Sequence, residues 1–157
     1  PVFLRVSAVD GIDGGWSMDD TVAYARLLKE RGIDLIDCSS GGLRGSATTA
    51  RIKRTWGFQV PFAERVRREA GIRSMAVGLI LDPHHAEDVL QQGGADLIAI
   101  GREALVNPSW PQMAEIALGV KPADAMNHWP EQYSWWLKHR ETALDQVRRD
   151  YGETWRG

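Results

Sequence analysis

The stretch Pro1-Val-Phe-Leu-Arg-Val-Ser7 is short, rich in apolar and β-branched residues and broken only by Arg5. That is the composition of a strand buried on both faces of a parallel sheet, and it places the first strand at Val2–Val6. Runs of the same kind recur at Asp34-Leu-Ile-Asp-Cys38, Ser74-Met-Ala-Val-Gly-Leu-Ile80 and Asp96-Leu-Ile-Ala-Ile100. Each is followed by helical periodicity or helix-start chemistry. Ser17 and Asp20 have capping-box spacing, Val22, Ala25 and Leu28 form one stripe, and Gly32 supplies a stop. A second helix is predicted from Pro61 through Phe62, Val66 and Ala70 to Gly71, a third from Pro83 to Gln92, and a fourth from Pro108 to Leu118. Lys121 to Trp129 reads as a loop, and Pro130 to Gly157 as a helical, tryptophan-rich tail. The order is βαβαβαβα.

Four βα units with buried strands predict an α/β fold with a parallel sheet, either open and doubly wound or a section of a closed (β/α)₈ barrel. A complete barrel needs about 250 residues, whereas this chain has 157. In the barrel arrangement four units would be half of one, with two unpaired strand edges and a need for a partner. The roughly twenty residues from Ser39 to Gln59 show no clear periodicity, and such a length, here at the C-terminal end of a strand, suggests a functional loop or a disordered one.

Composition narrows the partners. A formal net charge of −2 leaves no electrostatic footprint for nucleic acid, and no apolar run is long enough to span a bilayer. A single cysteine, Cys38, cannot form an internal disulfide, and a cytoplasmic setting is expected. Because the chain opens directly in a strand, with neither an initiator methionine nor a signal segment, residues before Pro1 are expected to be missing.

The chemistry is carried by cations and glycines at strand positions. An unpaired guanidinium at Arg5 inside a buried strand would be costly, so either an anionic, acceptor-rich ligand lies beside it or it pairs with an acid on the next strand such as Asp37. Gly78 ends the third apolar run, and Gly101-Arg102 follows the fourth. Glycines at strand ends admit close backbone approach to a phosphate, and Arg102 adds a fixed cation. They could equally relieve crowding, with Arg102 paired to a helix carboxylate.

Phe3-Leu-Arg-Val-Ser7, Leu35-Ile-Asp-Cys-Ser-Ser-Gly41, Gln59-Val-Pro-Phe-Ala63, Ala76-Val-Gly78, Ala95-Asp-Leu-Ile-Ala-Ile-Gly-Arg-Glu103 and Asn107-Pro108 together, by order and spacing, resemble the C-terminal half of the Old Yellow Enzyme family, in its bacterial xenobiotic-reductase and thermostable branch. The resemblance implies strands five to eight of an FMN-dependent TIM barrel over residues 1–119, followed by a C-terminal tail at 120–157. It implies an NAD(P)H-oxidising ene-reductase that reduces the C=C bond of an activated alkene, with this chain supplying the flavin cradle. Arg5 would face the N1 and C2-carbonyl edge of the flavin, and Gly78, Gly101 and Arg102 would hold the FMN phosphate. The substrate-anchoring pair, the proton-donating tyrosine and the flavin-tuning cysteine of the family belong to the N-terminal half, so no catalytic residue is assigned here and that half-barrel is an expected partner. Trp129-Pro-Glu-Gln-Tyr-Ser-Trp-Trp136 resembles the tail that in dimeric members reaches the neighbouring active site, with Trp135 or Trp136 near the position of its arginine. This implies a homo-oligomer and an aromatic wall of the substrate pocket, or else an interface stripe.

Other residues invite weaker readings. His84 and His85 begin a surface helix and are read as solvated, and Cys38 as a small buried hydrophobe. Arg44, Arg51, Lys53 and Arg54 form a solvated basic stretch or attract the phosphates of a nicotinamide donor. Asp10, Gly11, Asp13 and Gly14 are turn residues rather than a calcium loop, and no metal site is expected. Two competitors remain: a phosphate-binding barrel isomerase or aldolase without flavin, and a non-catalytic half-barrel that dimerises through its edges.

Overall fold

The computed structural model describes residues 1–40 and 52–153. They fall into two compact units, Pro1–Val106 and Asn107–Gly157. This division lies thirteen residues before Gly119, so the helix that follows Ser109 groups with the tail.

In the first unit, β1 (Phe3–Ser7), β2 (Leu35–Ser39), β3 (Arg73–Val77) and β4 (Leu97–Ala99) form one parallel sheet in the order β1-β2-β3-β4. The helices between them are α1 (Met18–Glu30), α2 (Val60–Ala70) and α3 (Pro83–Gln91), with the short α4 (Glu103–Val106) after β4. Sequential order with every pair parallel is the arrangement of consecutive βα units. β1 and β2 have the length the apolar runs suggested, displaced by one residue, whereas β3 and β4 are shorter: β3 stops at Val77 rather than continuing to Ile80, because Gly78 at φ 118° and Leu79 at φ 54° turn the chain away.

Local chemistry explains the helix ends. Ser17 caps α1 through a complete capping box, its side chain accepting from the Asp20 N–H and the Asp20 carboxylate accepting from the Ser17 N–H. Pro61 lies in the first turn of α2, and Gly71 closes that helix in the left-handed conformation at φ 63°. Asp82 caps α3 by accepting from the backbone N–H groups of His84 and His85.

Register places Arg5, Asp37, Met75 and Leu97 in one row across the sheet, and Val6, Cys38, Ala76 and Ile98 in the next. Odd-numbered residues of all four strands therefore share one face. On the even-numbered face Ile36, Cys38, Ser74 and Ala76 are fully buried, and α2 packs over β2 and β3 with Ala63 and Val66 fully buried. On the odd-numbered face Phe3, Arg5, Arg73 and Leu97 are exposed, although Leu35 and Asp37 at its centre are covered. The expectation of strands buried on both faces thus fails at β1. Among the described residues it pairs with β2 alone, and Phe3 and Arg5 are exposed while Leu4, Val6 and Ser7 are partly covered.

The second unit contains α5 (Trp110–Ala117), α6 (Pro122–Ala125), a 3₁₀ turn (Met126–His128) and α7 (Glu131–Tyr151). The predicted loop at 121–129 is instead mostly helical, with Pro122 in the first turn of α6. The single helix predicted from Pro108 begins at Trp110 and is preceded by the separate turn α4. A His128–Glu115 contact at 2.8 Å and a Lys138–Asn127 hydrogen bond at 2.6 Å tie α5 and α7 to the turns between them. Among the described residues, no helix is long and apolar enough to cross a membrane.

Candidate functional site

Three of the four cationic and glycine positions, Gly78, Gly101 and Arg102, meet at the C-terminal end of the sheet. Val77 to Leu81 and Ala99 to Glu103 line a cleft of about 120 Å³, sized for a small anionic group. Gly78 and Leu79 take consecutive positive φ values, and Leu79 is the sole non-glycine residue to do so among those described. A non-glycine residue held there is strained by about 1–3 kcal/mol, and such strain clusters at ligand-binding turns.

The turn is held from outside. With its amide nitrogen toward Val77, Gln59 donates to the Val77 carbonyl at 3.1 Å and accepts from both the N–H and the hydroxyl of Ser40 at 2.7 Å. Gln59 is buried at the start of α2, so it links the ends of β2 and β3 at the point where the chain leaves the sheet. Sequence reasoning did not assign it a site role. Its only local signal is a polar side chain next to the apolar run that opens α2.

The two glycines differ. A Cβ at Gly78 would fall 2.9 Å from the Gln59 amide and 2.9 Å from the Phe58 ring, so the absent side chain is required by the protein's own packing. A Cβ at Gly101 would meet nothing within 4 Å. Crowding inside the chain therefore accounts for Gly78 and not for Gly101, whose open side leaves room for a ligand at the cleft. Arg102, beside it, is exposed, and no carboxylate pairs with it among the described residues. The helix-carboxylate partner considered for it is absent there.

Arg5 lies elsewhere on the sheet, on the odd-numbered face. Its side chain is 58% exposed, and its Nε–H donates to Asp37 Oδ2 at 2.7 Å. Within this chain it is therefore neither buried nor unpaired: Asp37, the acid considered on the next strand, is its partner. The register sets Asp37 directly opposite. Only Nε–H is engaged by described residues, so the terminal N–H groups of the fork remain for a ligand. Asp37 is 9% exposed, and its Oδ1 is buried with no hydrogen-bond partner among the described residues. From β1 to β4, three interstrand spacings of about 4.8 Å amount to about 14 Å. An elongated ligand with an anionic end could reach from the cleft toward Arg5, and these residues fit an FMN phosphate at one end and an electron-rich ring edge at the other.

Cys38 is fully buried, and burial, aided by the neighbouring Asp37 charge, pushes its thiol up to about 12. It behaves as the small buried hydrophobe that sequence suggested. Asp10 accepts from the Trp16 N–H in the turn before α1, and no cluster of three metal-ligating side chains occurs among the described residues. His84 is exposed and His85 partly so at the start of α3. Lys53 and Arg54 are exposed, whereas Arg44 and Arg51 lie outside the described residues. In the second unit Trp135 and Trp136 are 52% and 68% exposed, pack edge to face at 4.5 Å, and Trp135 also lies 4.0 Å from the His139 ring.

A sequence profile described as the NADH:flavin oxidoreductase / NADH oxidase family matches residues 1–119. The chain is 50% identical over 121 residues to an NADPH dehydrogenase of Geobacillus thermodenitrificans (strain NG80-2), covering 77% of this chain and 34% of that protein. It is 48% identical over 120 residues to an NADPH dehydrogenase of Geobacillus sp. (strain WCH70), covering 76% and 34%. With an NADPH dehydrogenase of Bacillus subtilis (strain 168) it shares 47% identity over 121 residues, covering 77% and 35%. The chain thus spans about a third of the length of the curated relatives it matches.

Proposed function

Because the chain belongs to the NADH:flavin oxidoreductase / NADH oxidase family, we propose that it forms the flavin-binding part of an FMN-dependent NAD(P)H oxidoreductase. In this reading the four-stranded sheet is strands five to eight of a (β/α)₈ barrel, completed by an N-terminal half-barrel that covers the odd-numbered face. The substrate class is an activated alkene. The observation that carries the reading is the strand-end cleft, where the strained Gly78-Leu79 turn faces Gly101 and an unpartnered Arg102.

Bound FMN supplies the capacity to accept a hydride from NAD(P)H and to pass it to the β-carbon of the alkene. The chain's own residues bind and orient. Arg102 and the backbone at Gly78 and Gly101 hold the phosphate by a charge-assisted contact and close approach. Arg5 presents its free N–H groups to the pyrimidine edge and stabilises negative charge there without reorganising, because its fork is already fixed. Phe3, Met75 and Leu97 on the same face exclude water once that face is covered. Trp135 and Trp136 are proposed to offer aromatic faces to a planar substrate.

The test is a titration of the purified protein with FMN, followed by quenching of flavin fluorescence. Saturable binding that weakens when riboflavin replaces FMN supports a phosphate-anchored flavin. A folded, complete protein that purifies colourless and binds neither flavin would defeat the proposal.

A further inference from the structure

Asp37 stands opposite Arg5 across the β1–β2 ladder, and its side chain is 13% exposed while that of Arg5 is 58% exposed. A carboxylate so placed carries a desolvation cost that a single contact at 2.7 Å only partly offsets, and its second oxygen, Oδ1, is orphaned among the described residues. The contact is made through Nε alone, which orients the plane of the guanidinium, and the terminal N–H groups make no hydrogen bond to a described residue. A bidentate pair would have consumed part of that fork. We propose that Asp37 is a positioning residue: it fixes the Arg5 fork on the odd-numbered face so that the terminal N–H groups point to the bound ring, while Oδ1 receives a donor from the segment that covers this face.

This inference rests on the flavin reading and makes a claim that reading does not require. If Asp37 acted only as a nearby negative charge, removing it would raise the flavin midpoint potential, because reduction adds negative charge to the ring. If it positions Arg5, losing the acceptor lets the cation swing away, and the potential falls instead.

The experiment measures the midpoint potential and FMN dissociation constant of the complete, FMN-loaded protein for the wild type, Asp37→Ala, Asp37→Asn, Arg5→Met and the Arg5→Met/Asp37→Ala pair. The expected result is a lower potential in Asp37→Ala and in Arg5→Met, with no further fall in the double variant. Asp37→Asn, which keeps an oxygen acceptor for Nε–H, should hold the wild-type value or exceed it. A potential that rises in Asp37→Ala, or falls equally in both Asp37 variants, overturns the inference while leaving FMN binding in place. A wild-type protein that binds no FMN removes the flavin reading and this inference with it.

Discussion

Gly78 sits directly against Phe58: a Cβ on the glycine would lie 2.9 Å from the edge of the ring. The backbone there, at φ 118°, also lies where side chains are rarely tolerated. Phe58 and Gln59 thus brace the turn that forms one wall of the cleft, and the two cleft glycines should respond differently to substitution. Gly78→Ala should destabilise the protein by about 1–3 kcal/mol through strain and overlap. Gly101→Ala, with no neighbour within 4 Å, should shift stability by no more than about 1 kcal/mol yet weaken FMN binding. Urea melts of apo protein alongside FMN titrations separate the two effects. Equal loss of stability would refute the difference read from the packing.

Arg102 has no ion-pair partner among the described residues, so its truncation should cost ligand rather than fold. A charge-assisted hydrogen bond contributes about 1.5–3 kcal/mol, so Arg102→Ala should weaken FMN by roughly 10- to 100-fold. Riboflavin, which lacks the phosphate, should be little affected. Isothermal titration with both flavins reads the ratio, and a parallel loss for riboflavin would move Arg102 away from the phosphate.

Cys38 has a thiol raised from 9.0 to about 12 by burial and by the Asp37 charge. It should therefore resist a thiol reagent such as DTNB at pH 8 in the folded protein and react once urea unfolds it. The same shift has a sign in stability. The thiol favours the folded state below pH 9, and that contribution is lost progressively as pH rises from about 9 toward 12. A Cys38→Ala variant should show a flatter stability profile over that alkaline range.

Ser17 and Asp20 close the first turn of α1, and hydrogen bonds from Ser17 hold the Asp20 carboxyl below its ordinary value. A depressed carboxyl stabilises the fold above its unfolded value, and the contribution is lost as pH falls through the lowered folded value. Ser17→Ala should cost about 1 kcal/mol at neutral pH, measured as a drop in urea midpoint, and the penalty should shrink on acidification.

Much of the fold is legible in short stretches of sequence because its signals are local. The Ser17–Asp20 box, the Gly71 stop and Pro83 after Asp82 each act within one helical turn, and all three operate in the structure. The strand runs were located to within a few residues for the same reason, as side-chain composition along a few positions marks a buried strand. The turns at 121–129 escaped because a helix of four residues is too short to show a period. In the site, Gly78, Gly101 and Arg102 were legible as strand-end chemistry. Gln59 was not, because its partners Ser40 and Val77 lie 19 and 18 residues away and meet it only through the sheet.

By itself, then, the sequence determined the order of the elements, the parallel character of the sheet and the family resemblance, all written in local pattern and motif order. Tertiary structure alone decided that Arg5 is paired with Asp37, 32 residues away. It also decided that Gly78 is required by Phe58 while Gly101 is not, and that the odd-numbered face is the more exposed one. The reason is register: which residues stand opposite one another across a sheet is set by the pairing of distant strands and the packing of helices on one face, and an apolar run records neither.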